Sequence, residues 1–125
     1  PFVMPNSYCY NEEFGMDGES LGDWYTGSGC VLLRNIVKYA FGVQPDLNGL
    51  KILTASYMPT KHATLVLNIK GHRTEFVYKN QNSGKRKYFL NGNELETTID
   101  EVSGCKVAYI ENAMFVQDMK IEIVD

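Results

Sequence analysis

Two kinds of periodicity divide the chain. Between Cys30 and Phe41 the apolar residues Val31, Leu32, Leu33, Ile36, Val37, Ala40 and Phe41 recur at helical spacing. At 100° per residue they fill a broad arc, and Arg34, Asn35 and Lys38 share the narrow opposite side. The pattern predicts a helix over 30–41. Thr26 or Ser28 is placed to cap its start, Gly42 to end it as a left-handed residue, and Pro45 to prevent its return. An arc this wide calls for apolar contact on more than one side.

Beyond residue 50 the period is two. Ala63, Leu65, Leu67 and Ile69 share one face of a predicted strand, and Thr74, Phe76 and Tyr78 one face of the next. Gly71-His72 between them suits a type II′ hairpin, because glycine accepts the positive φ of the first central position. Asn82-Ser83-Gly84 and Asn91-Gly92 are further turns, with a strand over Lys87–Leu90. Cys105–Ile110 forms another strand. In the last one Met119, Ile121 and Ile123 alternate with Lys120 and Glu122. Six or seven short strands at this spacing predict a mainly β fold, an antiparallel β-sandwich preceded by a long loop and one helix.

Residues 1–28 show no clean period. Asn, Gly, Ser and Asp dominate, as in Asp17-Gly18-Glu19-Ser20. This reads as loop. It also carries Phe2, Tyr8, Tyr10, Phe14, Trp24 and Tyr25, too many aromatics for a passive linker. Long loops of this kind usually carry function.

At 125 residues the chain suffices for about one domain with its own core. The net charge of −3 argues against a nucleic-acid partner, which calls for a basic stripe. No apolar run reaches the ~20 residues that span a bilayer, and no basic-then-apolar leader opens the chain. A start at Pro1 rather than Met reads as a processed chain or an excerpt from a longer one. Charge is uneven: residues 1–50 hold two basic and six acidic side chains, residues 51–125 ten and nine. Cys9, Cys30 and Cys105 are too few and too scattered for a disulfide framework. They read as small buried residues, in a reducing compartment or in a processed protein without disulfides, and a cytoplasmic location is expected. His62 and His72 lack metal-ligand spacing and are expected near exposed turns. No metal, nucleotide or other cofactor is expected.

The stretch Trp24-Tyr25-Thr26-Gly27-Ser28-Gly29, then the apolar helix, then Phe41-Gly42-Val43-Gln44-Pro45-Asp46-Leu47-Asn48-Gly49-Leu50-Lys51-Ile52 resembles one junction in a known family. It is similar to the join between barrel and C-terminal domain in the cellobiose phosphorylases, the family 94 glycoside hydrolases. The likeness is specific over about residues 23–52 and looser beyond. It implies that residues 1–42 are the tail of an (α/α)6 barrel and residues 43–125 the C-terminal β-sandwich. The catalytic Asp of such enzymes, and their phosphate-binding arginines and histidine, lie outside this chain. The resemblance therefore implies a non-catalytic scaffold for a parent enzyme that cleaves a β-glycosidic bond with phosphate and inversion, giving a sugar 1-phosphate. Its partners would be the barrel, an oligosaccharide and phosphate, with no nucleic acid and no membrane. Without the barrel, the helix should leave an apolar patch or hide it by self-association. Where family members often carry a bulky aromatic just after Thr-Gly-Ser, this chain has Cys30, Val31, Leu32 and Leu33.

The resemblance also implies that Thr26 and Gly27 lie at the phosphate pocket. A helix start offers free N–H groups and partial positive charge, Gly27 lets backbone approach the anion, and the Thr26 hydroxyl can donate. The plainer role of Thr26 and Ser28 is to cap the helix. Trp24 and Tyr25 can stack on a sugar or pack under the loop. Glu12, Glu13, Asp17, Glu19 and Asp23 read as a solvated acidic loop, and Lys85-Arg86-Lys87 as a solvated hairpin end. The rival to the scaffold is a carbohydrate-binding or interaction sandwich. Its mark would be exposed aromatics drawn from Tyr57, Tyr78, Tyr88, Phe89 and Tyr109.

Overall fold

The computed structural model describes residues 7–8, 10, 12–15, 20–21, 28–54, 60–81 and 83–125. The chain divides into two compact units, residues 1–36 and 37–125. The division falls six residues before the junction that the resemblance implies.

The first unit is less loop-like than its composition predicts. Strands β1 (Ser7–Tyr8) and β2 (Ser20–Leu21) pair antiparallel, Ser7 with Leu21 and Tyr8 with Ser20. A 3-10 turn covers Glu12–Phe14, and Gly15 closes it at φ +65°. Helix α1 spans Ser28–Asn35 and runs on as a π-helical turn over Ile36–Ala40. Periodicity predicts a uniform α-helix here. The wider turn is a local departure of the kind found inside α-helices. It begins where the two units divide. Gly42 ends the helix at φ +69°, the left-handed position its sequence predicts.

The second unit is a two-sheet, mainly β structure, as the alternating pattern predicts. One sheet has the order β3-β4-β10-β9, from β3 (Val43–Asp46), β4 (Gly49–Ile52), β9 (Thr97–Ile99) and β10 (Lys106–Glu111). The other has the order β5-β6-β11-β7-β8, from β5 (His62–Ile69), β6 (His72–Lys79), β7 (Lys87–Leu90), β8 (Asn93–Glu94) and β11 (Met119–Val124). Strand β3 carries Pro45, which donates no ladder bond and fits the edge position that β3 holds.

Register builds the core in rows. In the five-stranded sheet Phe76, Ile121 and Leu90 stand side by side, and so do Tyr78, Ile123 and Tyr88. In the other, Val43, Ile52 and Ala108 form one row, and Leu50 lies beside Ile110. These residues make one buried cluster, with Val37, Phe41, Ala63, Leu65, Leu67 and Ile69 packed at its margin. Phe41 meets the Tyr78 ring edge-on at 5.3 Å, and the Tyr78 phenol donates to the Phe41 carbonyl. A helix end leaves carbonyls without helical partners, so a core tyrosine satisfies this one. Burial, with the neighbouring Tyr88 adding to it, pushes the Tyr78 phenol well above its ordinary pKa.

Two details depart from the sequence-based expectation. The β5–β6 hairpin turns on Lys70 (φ +54°) and Gly71 (φ +86°), with Ile69 paired to His72. Two consecutive positive φ values match a type I′ turn, one residue earlier than the expected type II′ turn. Asn91 (φ +48°) and Gly92 (φ +87°) turn the β7–β8 hairpin in the same way. The second departure is that β11 lies parallel to β6 while antiparallel to β7. It fills the slot between β6 and β7, so this sheet is mixed rather than wholly antiparallel.

Candidate functional site

Of the residues expected at a phosphate pocket, Trp24, Tyr25, Thr26 and Gly27 lie outside the described residues, and Ser28 is the first residue of α1. The second half of the same motif is well defined. Phe41 and Gly42 end the helix, Val43–Asp46 and Gly49–Ile52 pair as the first hairpin of the sandwich, and Val43, Leu50 and Ile52 enter the core. Leu53 N–H donates to the Gly42 carbonyl at 2.8 Å. These motif residues join helix to sandwich.

The helix arc is only partly covered. Val37 and Phe41 pack against the sandwich core, whereas Val31 (56% exposed), Leu33 (66%) and Tyr39 (60%) do not lose their surface. Cys30 is also exposed and Cys105 half-buried, so the expectation that the cysteines are core residues fails for both. Cys9 lies outside the described residues. Cys30 stands on the helix, one residue before the exposed run Val31–Leu33.

The basic run Lys85-Arg86-Lys87 is not a uniformly solvated hairpin end. Lys85 and Lys87 are exposed, but Arg86 is buried beneath the sandwich end. Strand alternation at the start of β7 turns it inward. Its Nη2 donates to Asp125 Oδ2 at 3.1 Å, and its Nη1 to the Thr54 carbonyl at 3.1 Å and Oγ1 at 2.6 Å. The Ser83 hydroxyl donates to Asp125 Oδ1 at 3.0 Å. Tyr88 donates to the Lys106 carbonyl at 2.9 Å and lies 3.2 Å from Thr54 Oγ1. Burial raises the Asp125 pKa, but the bonds from Ser83 and Arg86 outweigh it and hold the carboxyl below the ordinary range. A cavity of about 290 Å³ adjoins this pair, with Ile99, Cys105 and Lys106 also on its wall. The polar groups at its base are engaged with one another, which fits a tie between strands better than a reactive centre.

Nothing in the sequence marks Arg86 or Asp125 as partners, since they lie 39 residues apart. The acidic loop fares differently. Glu12 and Glu13 are exposed, as expected, while Asp17, Glu19 and Asp23 lie outside the described residues. His62 is exposed and His72 half-buried. Among the described residues no group of three or more His, Cys, Asp or Glu converges as a metal site would. None of the described helices is long and apolar enough to cross a membrane.

The aromatic residues separate by face. Tyr78 and Tyr88 are buried in the core, Phe89 is half-buried on the five-stranded sheet, and Tyr57 lies outside the described residues. Tyr109 stands on the outer face of the four-stranded sheet and keeps 38% of its surface. Beside it on that face Lys51 pairs with Asp100 at 2.6 Å, and Asp100 also accepts bonds from the Ser103 hydroxyl (2.8 Å) and N–H (2.9 Å). These bonds, that from Lys51 foremost, lower the Asp100 pKa to about 2. A group lowered on folding contributes stability that is complete above its unfolded pKa and is lost as pH falls through the folded value. Carboxyl NMR titration should therefore find Asp100 ionised down to about pH 2, and Lys51→Met should move its midpoint up toward the usual carboxylate range. An unmoved midpoint would show that Lys51 is not its partner in solution.

No protein-family model matches the chain, and no curated protein matches it either.

Proposed function

We propose that this chain is the non-catalytic end of a cytoplasmic carbohydrate-active enzyme of the inverting-phosphorylase type. In this reading the sandwich is a scaffold, α1 is the last helix of a barrel, and Thr26 and Gly27 serve the phosphate pocket of the assembled enzyme. One observation carries it: the 37–125 unit buries its own core, while α1 carries the apolar Val31–Leu33 run exposed. Contiguous apolar surface of that kind marks a face meant for another body. The Trp24–Ile52 resemblance names barrel helices as that body.

The test is an assay for sugar 1-phosphate released from β-linked disaccharides in the presence of phosphate. The 125-residue chain alone should show no turnover, because the proposal places the general acid elsewhere. The product of the intact reading frame should show phosphate-dependent release. Turnover by the purified chain, or an intact product indifferent to phosphate, refutes the reading.

A further inference from the structure

Among the described edge strands, β5 alone carries none of the devices that keep a sheet edge from pairing with another chain. Those devices are brevity, proline, charge and bulges. Strand β3 carries Pro45 and Asp46, β8 is two residues long and ends in Glu94, and β9 is three residues long. Strand β5 runs for eight residues, and its pairing with β6 continues over all of them without a bulge. From Ala63 to Ile69 it holds no charged residue, no proline and no glycine. Lys61 and Lys70 flank this stretch without entering it.

The hairpin geometry decides which backbone groups β5 leaves open. A two-residue turn closes on a hydrogen-bonded pair, here Ile69 and His72, and such pairs alternate along an antiparallel ladder. Leu67, Leu65 and Ala63 therefore turn their N–H and C=O groups toward β6. Lys61 continues the series, accepting the Asn80 N–H at 2.9 Å. His62, Thr64, Val66 and Asn68 turn theirs outward. The Thr60 hydroxyl satisfies His62, accepting from its N–H at 3.2 Å and donating to its carbonyl at 2.7 Å. Thr64, Val66 and Asn68 have no such partner among the described residues. The apolar row is unfinished at the same place. Ala63, Leu65 and Leu67 are half-buried, while Tyr78, Phe76 and Thr74 opposite them on β6 are fully buried.

We propose that two copies of this chain pair through β5, antiparallel about a two-fold axis at Val66, so that their five-stranded sheets become one. Ladder bonds need an outward-turned residue opposite another. With Val66 opposite Val66 of the second copy, Thr64 stands opposite Asn68 and Asn68 opposite Thr64. The open groups are then all used. The same register sets Leu65 against Leu67 and Ala63 against Ile69 on the inner face, so each half-buried apolar residue of β5 meets another. An axis at Leu65 would instead set Ile69 against Lys61, and Asn68 against His62, whose groups Thr60 already holds. The paired stretch brings no charges face to face, and it offers a charged partner strand nothing to pair with. Such self-matching is what a two-fold interface requires. One strand pairing covers less than the roughly 1,200–2,000 Å² of a lasting interface, so the dimer is reversible and depends on concentration. The pairing goes beyond the scaffold reading and does not depend on it, and it leaves the Val31–Leu33 run of α1 out.

The test is sedimentation equilibrium of the 125-residue chain, with amide hydrogen exchange at low and high concentration. The mass should rise from one chain to two, with half-dimerisation between about 1 µM and 1 mM, the range of a weak interface. Exchange at Thr64, Val66 and Asn68 should slow as concentration rises, while Ala63, Leu65 and Leu67 stay protected throughout. Val66→Lys places like charges opposite each other at the axis and should weaken pairing at least about tenfold. Val66 is 47% exposed, so this variant should remain folded. An equal mixture of Val66→Lys and Val66→Glu should pair again. Val66→Pro deletes an N–H that the β5–β6 ladder does not use and should give a folded monomer. A chain that stays monomeric up to about 1 mM overturns the proposal. So does an association that Val66→Lys and Val66→Pro leave unchanged, or one that slows no exchange at Thr64, Val66 and Asn68, since it then belongs to another surface.

Discussion

Gly42→Ala should destabilise the 37–125 unit by more than about 4 kcal/mol, in the extreme tail of single substitutions. Two costs combine. Gly42 sits at φ +69°, where a residue with a Cβ loses about 1–2 kcal/mol relative to glycine. The added carbon would also stand 2.1 Å from the Leu53 carbonyl oxygen and 2.7 Å from the Thr54 nitrogen. Both are backbone atoms and cannot swing aside. Relief requires parting the chain at the site where Leu53 N–H bonds to Gly42, next to the Val43–Ile52 row of the core. Gly71→Ala is the matched control. Gly71 has φ +86° but nothing within 4 Å of the position a Cβ would take, so it should show the conformational cost of about 1–2 kcal/mol alone. Urea unfolding of the two variants at neutral pH makes the comparison. Equal losses would mean that the Gly42 backbone does not press against the Leu53–Thr54 backbone in solution.

Which parts of this structure a sequence can reveal follows from the range of the interactions involved. Gly42 is readable because helix termination is local: an apolar periodic run, then Gly, then a nearby Pro. The β5 and β6 strands are readable for the same reason. Residues 62–69 alternate between exposed and half-buried, as their period of two predicts. Even there the turn differs by one residue. Lys70 takes a positive φ that its side chain does not favour, so the rule that places glycine first in the turn misleads. The β6–β11 pairing joins residues 74–79 to 119–124, and nothing within either strand says that they run parallel. Cys30 departs from the expected burial because burial of a thiol is a statistical tendency, whereas exposure on α1 is decided by what packs on it.

The outer sheet face shows the same division. Alternation along β10 alone puts Tyr109 on the side opposite Ala108 and Ile110. Its neighbour across the strand pair, Lys51, stands 58 positions earlier and is brought alongside only by register. The Gly49 of the Gly-Leu-Lys-Ile run reads in sequence as part of a family-like junction. In the structure a Cβ there would stand 2.1 Å from the Ile110 carbonyl oxygen, so a glycine is what lets the β10 backbone come this close to β4.

The buried pair of Arg86 and Asp125 carries the other large expected effect. Arg86→Met removes the charge and keeps much of the length of the side chain. It leaves Asp125, whose side chain is only 3% exposed, with Ser83 but without its cation. Breaking a buried ion pair from one side costs about 3–5 kcal/mol, because the remaining charge stays out of water. Adding Asp125→Leu to Arg86→Met should recover part of that loss, since the double variant buries no unpaired charge. The two substitutions will therefore not add. The pH dependence gives a sharper readout, because its sign should reverse. In the wild type the bonds from Ser83 and Arg86 hold the Asp125 pKa below its ordinary value. Its contribution is then present at neutral pH and disappears as pH falls through the lowered folded value. In Arg86→Met, burial dominates and the folded pKa rises above the unfolded one. Protonation then favours the folded state, so the penalty at Asp125 shrinks as pH falls from 7 toward the ordinary carboxylate range. Urea midpoints at pH 7 and near pH 5 should show the gap between wild type and Arg86→Met narrowing at the lower pH. A gap that stays constant or widens on acidification would show that Asp125 does not depend on the guanidinium for its charge.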